Sequence, residues 1–405
     1  MENVYDLLIL GGGPAGLSAA MYGARGRLKT AIIEKGRAGG QAATTSELEN
    51  YPGFGRGTTG PGLTEAMLNH ALDFGAELIK DTIVSLDLKS NPKKVVGRKG
   101  EYYGKAVIYA LGAVPRMINV PGEGKLRGKG VSYCATCDAD LFEELDVVVV
   151  GSGDAAVEEA EYLTKFAETV TVIVIHDEGK VDANKVSAER AFKNPKIKWI
   201  WNSTVKSING DELVESVTLK NIKTGEETVY PTNGVFIFIG TQPMSDLVKD
   251  QLELNPQGYI ITDEKMATNI EGVFAAGDVR AKYLRQVVTA AADGAIAAVA
   301  AEKYVQETDL WENEVLKAEK PVLVAYYNPT DMEGTEKVGI VDQFVRENSD
   351  KLSLVKVDAT RNELVERRYG IDKSKLPLVH LFVNGEIKAE TYDLSLESLK
   401  AITNL

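Results

Sequence analysis

Tyr5-Asp6-Leu7-Leu8-Ile9-Leu10-Gly11-Gly12-Gly13-Pro14-Ala15-Gly16, followed by a helical stretch to about Gly26 and then by Lys29-Thr30-Ala31-Ile32-Ile33-Glu34, is the passage from which the fold is read. Leu7–Leu10 is a continuous apolar run ending at glycines, the pattern of a strand buried on both faces of a parallel sheet. Strand, helix and second strand make a β-α-β unit of about 30 residues. Gly11 permits a tight turn, Gly13 lets the backbone approach a pyrophosphate, and Gly16 allows close helix–strand packing. The helix N-terminus offers N–H groups and its positive dipole end to phosphate. Glu34 stands 18 residues after Gly16, where a carboxylate accepts hydrogen bonds from a ribose.

The same plan recurs. Asp146–Val150 reads as a strand, Gly151-Ser152-Gly153-Asp154-Ala155-Ala156 as the turn, Val157–Phe166 as a helix and Val170–Ile175 as the second strand. Just before this copy stands Cys134-Ala135-Thr136-Cys137, which holds the only two cysteines of the chain. A secreted disulfide framework is excluded. A structural zinc site lacks its second ligand pair, and His70, His176 and His380 show no ligand spacing. A c-type haem site needs His after the second cysteine, where Asp138 stands. A redox dithiol or a pair of inert buried thiols remains.

At 405 residues the chain is long enough for two to three domains, at about 150 residues each. Lys and Arg total 46 against 59 Asp and Glu, a net charge of −13, which argues against nucleic acid or an anionic membrane as partner. The uncharged stretch Leu7–Ala24 is interrupted by Gly11–Pro14, so it reads as strand plus helix and not as a membrane span. No basic leader precedes it, and a cytoplasmic protein is expected.

Gly272–Asp278 reads as a strand ending in Gly-Asp, with an Ala-rich helix from Gln286 to about Val305. The charged run Trp311–Lys320 reads as a linker. Pro321 opens a last module of alternating strands and helices, with an Asn384-Gly385 hairpin turn, which suits a small β/α sandwich.

Several segments occur together in order and spacing: Gly11–Gly16, Gly39-Gly40-Gln41, Glu49–Phe54, Ala113–Arg116, Cys134–Asp138, Gly277-Asp278-Val279 and Arg285-Gln286. In these the chain resembles the low-molecular-weight thioredoxin reductases, over about residues 4–308. The resemblance implies a homodimer with FAD in the first nucleotide fold, held by Gly11, Gly13, Ala15, Gly16, Glu34, Gly40, Gln41, Asn50, Gly112, Gly277, Asp278, Arg285, Gln286 and Val287. It implies Cys134, Cys137 and Asp138 as catalytic residues. Cys137 faces the flavin, Cys134 attacks the disulfide of a thioredoxin or thioredoxin-like protein, and Asp138 exchanges a proton with the departing thiolate, a role compatible with the helix N-cap that its position also suits. The fold expected is α/β: two Rossmann-like nucleotide-binding domains plus a C-terminal thioredoxin-like domain. The FAD domain is discontinuous, residues 1–117 and 244–308, around a second domain at 118–243. A linker at 309–320 leads to a thioredoxin-like domain at 321–405. Gly112 and Gly240 lie near the crossings and are candidate hinges.

Two departures from the family matter. Adding 23 residues, the Gly11-to-Glu34 spacing, to Gly151 reaches Val174, so the ribose carboxylate of a nicotinamide site is missing. The family's His-Arg-Arg run falls on Val174, Ile175 and His176, and its later Arg on Lys180. A neutral His and one Lys do not replace bidentate arginines. Weak or no NADPH use is expected, with reduced ferredoxin or an atypical nicotinamide as the donor compatible with the sequence. Second, the C-terminal module reads Asp331-Met332-Glu333-Gly334 where a thioredoxin has its dithiol, although Lys375-Leu376-Pro377 falls at that fold's cis-proline. Other readings are a diaphorase or peroxidase-system flavin reductase, or a flavin-based redox sensor.

Overall fold

Leu7–Leu10 are shut off from solvent because the strand Val4–Leu10 lies between two parallel neighbours, Thr30–Glu34 and Glu101–Tyr109. The computed structural model describes residues 4–405 apart from residues 46, 47, 49 and 56, so Glu49 of the quoted motif lies outside the described residues. Glu77–Lys80 extends this sheet in parallel beyond Thr30–Glu34, and Lys93–Gly97 with Ile83–Asp87 extends it antiparallel on the other side. Val273–Ala275 pairs in parallel with Glu101–Tyr109. The chain therefore returns to its first sheet after building a second.

The second sheet is all parallel, ordered Ile197–Ile200, Thr169–Ile173, Asp146–Val150, Gly234–Ile237 and Val131–Ser132. A three-stranded antiparallel sheet, Ser203–Asn209, Ser216–Asn221 and Glu227–Pro231, covers one flank. The two chain crossings between the sheets are joined to each other, Ala113–Pro115 pairing antiparallel with Thr241–Pro243. Gly112 and Gly240 bracket this ribbon with φ of +72° and +99°, a conformation glycine alone adopts cheaply.

These elements form one unit ending at Ala301, and a second runs from Glu302 to Leu405. The second unit has one four-stranded sheet. Ser353–Asp358 is parallel to Val322–Tyr327, whose other neighbour, Leu378–Val383, is antiparallel and leads through the Asn384-Gly385 turn to Glu386–Thr391. Helix Met332–Glu347 lies on one face, and Leu376–Pro377 is cis. The segment expected as a linker is helical as far as Leu316. Helix Val287–Trp311 runs on into a π-helical turn, Glu312–Leu316. The cause is an apolar i, i+4 pair hidden in the charged run. Trp311 and Val315 are buried with Tyr326 and Phe382, while Asn313, Glu314 and Lys317 stay exposed.

Candidate functional site

In the first fold the three glycines differ in what surrounds them. Gly11 has φ +106°, and a Cβ there would sit 2.5 Å from the Ala110 carbonyl oxygen. A Cβ on Gly16 would lie 1.9 Å from the Gly11 carbonyl oxygen, so helix Pro14–Arg25 packs tightly against the turn. Gly13 differs: a Cβ there would meet only the Gly40 Cα, at 3.9 Å. The room beside the helix N-terminus is thus not filled by protein. Glu34 accepts from the Gly12 N–H at 2.8 Å and the Gly36 N–H at 2.9 Å, and each carboxylate oxygen keeps a lone pair for a ribose hydroxyl.

The rest of the expected flavin set converges from distant sequence. Gly277 has φ +79°, and a Cβ there would press on Ala15. Its N–H is held by Asp293, which also binds Arg280 and Lys282. Beside it, the buried Asp278 Oδ1 lies 3.5 Å from Lys282 Nζ but accepts no hydrogen bond among the described residues, and Arg285 Nε, whose guanidinium lies over the Tyr259 ring, donates none. Burial raises the Asp278 carboxyl above the ordinary aspartate range, against the pull of Lys282 and Arg285. Val287 packs with Ala42 and Leu63, and Gln41 accepts from Arg127 at 2.9 Å. Gly112 stands two residues beyond Ala110. Open space at Gly13 and buried polar atoms without a hydrogen bond at Asp278 and Arg285 are what a bound dinucleotide would meet, so these residues fit FAD.

Cys134 and Cys137 form a disulfide, with Cys134 extended and Cys137 on the short helix Ala135–Asp138. Two expected flavin residues meet it. Gln286, just before helix Val287–Trp311, donates to Thr136 Oγ1 at 2.8 Å, while its Oε1 lies 3.9 Å from Cys137 Sγ. Asn50 donates to the Thr136 carbonyl at 3.2 Å and to Gln286 Oε1 at 3.1 Å. The disulfide is thereby pinned to the flavin domain. Asp138 makes no capping bond, so the N-cap role is not realised. It instead accepts from Ser132 Oγ at 2.6 Å, and Ser132 Oγ accepts from the Cys134 N–H at 3.1 Å. Burial raises the Asp138 carboxyl, with Asp140 adding to it and the Ser132 bond opposing. A carboxyl that holds its proton at higher pH suits proton exchange with a thiolate next to it in sequence. Ser132, Thr136 and Arg127 were not singled out from sequence. Only Thr136, lying between the cysteines, carried a signal.

The second cradle repeats the backbone of the first and not its chemistry. Gly151 has φ +139°, and a Cβ on Gly153 would meet nothing within 4 Å. Yet Asp154 stands at the first turn of helix Asp154–Leu163, where it accepts from the Asn184 N–H and Nδ2. Those bonds hold its carboxyl below the ordinary range. Asp182 closes over the turn, accepting from Ser152 Oγ at 2.7 Å and lying 2.8 Å from His176 Nε2. Lys180 lies 3.9 Å from Asp177, which also pairs with Lys223. Val174 is buried. His176 and Lys180, which stand where arginines would hold a 2′-phosphate, thus already face carboxylates.

In the C-terminal unit, Asp331 N-caps helix Met332–Glu347 through the Gly334 N–H, and a Cβ on Gly334 would lie 3.7 Å from Pro377. The segment expected at the dithiol position thus lies beside the cis Pro377, and it holds no cysteine.

Known proteins match in two blocks. Residues 5–294 match the pyridine nucleotide-disulphide oxidoreductase family, and residues 302–404 match thioredoxin. A thioredoxin reductase of Peptoclostridium acidaminophilum is 56% identical over 312 residues, which are 76% of this chain and 98% of that protein. That of Bacillus subtilis is 47% identical over 307 residues, 76% and 96%. The crystal structure of the thioredoxin reductase from Streptococcus pyogenes is 44% identical, with a TM-score of 0.72, covering 76% of this chain and all of that one.

Proposed function

The chain belongs to the thioredoxin reductases of the pyridine nucleotide-disulphide oxidoreductase family, and on that premise we propose which electrons it takes and where they go. It is a flavin disulfide oxidoreductase. Bound FAD supplies two-electron reduction at the isoalloxazine. The protein's part is to hold the Cys134–Cys137 disulfide against the flavin domain, let Asp138 move the proton, and present the dithiol to the disulfide of a thioredoxin or thioredoxin-like partner. The observation that carries this is the bridge from Thr136 to Asn50 and Gln286. The released dithiol reaches its partner through a mixed disulfide.

NADPH is not the donor in this reading. The acidic closure of the second cradle, with Asp182 facing His176, Asp177 facing Lys180 and Asp154 at the helix N-terminus, supports a donor that reaches the flavin directly, reduced ferredoxin first. The C-terminal domain holds no cysteine, so it relays no electrons, and docking or regulation is its proposed role. The protein works as a homodimer in the cytoplasm, where reducing conditions suit a cycling dithiol.

Cys137→Ser tests the dithiol reading. Cys134 then attacks the partner disulfide but cannot be displaced, so a stable mixed disulfide with oxidised thioredoxin accumulates while turnover falls to background. A Cys137→Ser protein that still turns over thioredoxin would end the proposal.

A further inference from the structure

The amide of Gln286 lies across the disulfide, Nε2 3.8 Å from Cys134 Sγ and Oε1 3.9 Å from Cys137 Sγ. Which end faces which sulfur follows from its partners. The anchor is the Thr136 carbonyl, which can only accept. The Asn50 atom 3.2 Å from it is therefore Nδ2. That nitrogen also reaches Gln286 at 3.1 Å, so the Gln286 atom there is the acceptor Oε1. Nε2 is left to donate to Thr136 Oγ1 and to face Cys134. The Thr136 hydroxyl, its lone pair engaged by Gln286, has its proton free for Cys134 Sγ at 3.4 Å. Two donors thus converge on Cys134, and an acceptor faces Cys137.

We propose that Gln286, oriented by Asn50 and Thr136, sets the polarity of the dithiol. When two electrons enter at Cys137 Sγ the S–S bond breaks, and its electron pair leaves on Cys134 Sγ as a thiolate. Cys137 takes one proton, supplied by Asp138, and becomes a thiol. Disulfide, two electrons and one proton give one thiolate and one thiol, the electrons coming from the reduced flavin of the reductase activity. Nε2–H and the Thr136 O–H stabilise the thiolate, while the new Cys137 S–H donates to Oε1, a bond the disulfide state cannot make. Cys134 is thereby the nucleophile for the partner disulfide. Of the ionisable neighbours on this turn, Tyr133 is bonded to Glu123, and Asp138, held by Ser132, is the group that exchanges the proton. Gln286 touches the reacting sulfurs, and Asn50 and Thr136 are positioning residues.

The inference rests on the disulfide-reductase reading, but its test uses neither donor nor acceptor protein, so the two fail separately. The full-length flavin-loaded protein is reduced with a phosphine and alkylated with iodoacetamide across about pH 5 to 9, and occupancy at each cysteine is measured by peptide mass spectrometry. In the parent, Cys134 is alkylated at lower pH than Cys137. Gln286→Met raises the Cys134 midpoint by about one pH unit, a tenfold rate loss at fixed acidic pH, as expected for losing a hydrogen bond to a charged sulfur. Asn50→Asp, at an exposed side chain, cannot donate. It claims Nε2, turns the amide and shifts the Cys134-to-Cys137 ratio toward Cys137 with the fold intact. An unchanged ratio and unchanged midpoints in both variants would overturn the proposal.

Discussion

Gly13 and Gly153 hold the same place in the two nucleotide folds. Each precedes its helix with nearly the same backbone, φ −77° and −80°. A methyl at Gly13 has its nearest protein atom at 3.9 Å, and one at Gly153 has none within 4 Å. Neither Gly→Ala change strains the chain. The loss of unfolded-state entropy stabilises by about 0.4–1 kcal/mol, and the poorer N-cap takes back a similar amount. Unfolding free energy therefore stays within about 1 kcal/mol of the parent in both. The ligand separates them. At Gly13 the methyl stands where the pyrophosphate approaches. Displacing one or two backbone N–H bonds to a charged phosphate, about 1.5–3 kcal/mol each, weakens FAD binding by about a hundredfold. At Gly153 nothing changes if no nicotinamide nucleotide binds there. FAD affinity by fluorescence quenching, thermal unfolding and steady-state turnover are measured on both. The expected pattern is a folded, flavin-poor Gly13→Ala and a flavin-replete Gly153→Ala with turnover within about twofold of the parent. A Gly13→Ala protein that binds FAD as tightly as the parent refutes the cradle. A Gly153→Ala protein slowed more than about tenfold with its flavin intact refutes the idle second site.

Asp138→Asn slows flavin-to-disulfide transfer about a hundredfold in stopped-flow traces with FAD content unchanged, the usual scale for a lost general acid. Because the Asp138 carboxyl is raised in the folded state, its contribution to stability is full below the ordinary aspartate range and is lost as pH rises through the folded value. Asp138→Asn therefore flattens the fall of stability above about pH 4, as read by urea unfolding at a series of pH values. Trp311→Ala, removing a side chain that is 1% exposed, costs the C-terminal unit about 3–5 kcal/mol in urea while the flavin spectrum stays that of the parent. Unchanged unfolding would restore the linker reading. Gly16→Ala yields little folded protein, since its Cβ would stand 1.9 Å from a backbone oxygen, and normal expression and melting would contradict this.

Much of the architecture was legible because its signals are local. An apolar run, a glycine turn, a helix and a terminal Glu lie within about 30 residues, and the structure places them in that register. The Asn384-Gly385 hairpin was local in the same way. Trp311 and Val315 were misread because charge dominates the run they sit in, and only tertiary packing shows that two positions one turn apart face inward. The helix they end continues through Val305 for the same reason. The Asp138 cap was a fair local guess, overridden when Ser132, on a buried strand six residues earlier, supplied a better partner. Sequence named Asn50 and Gln286 as flavin residues. That they clasp the disulfide through Thr136 depends on three segments meeting from residues 50, 136 and 286, which no spacing rule reaches. The missing arginines of the second cradle could be counted in sequence. That Asp182 folds over Ser152 could not.

The claim that electrons reach the flavin without NADPH is tested most directly by anaerobic titration of the oxidised, flavin-loaded protein with NADPH, NADH and reduced ferredoxin, followed at the flavin absorbance band. The expected result is bleaching by reduced ferredoxin at about two electrons per flavin plus two per disulfide, with little or none from either nicotinamide. Rapid bleaching by a slight excess of NADPH would contradict it.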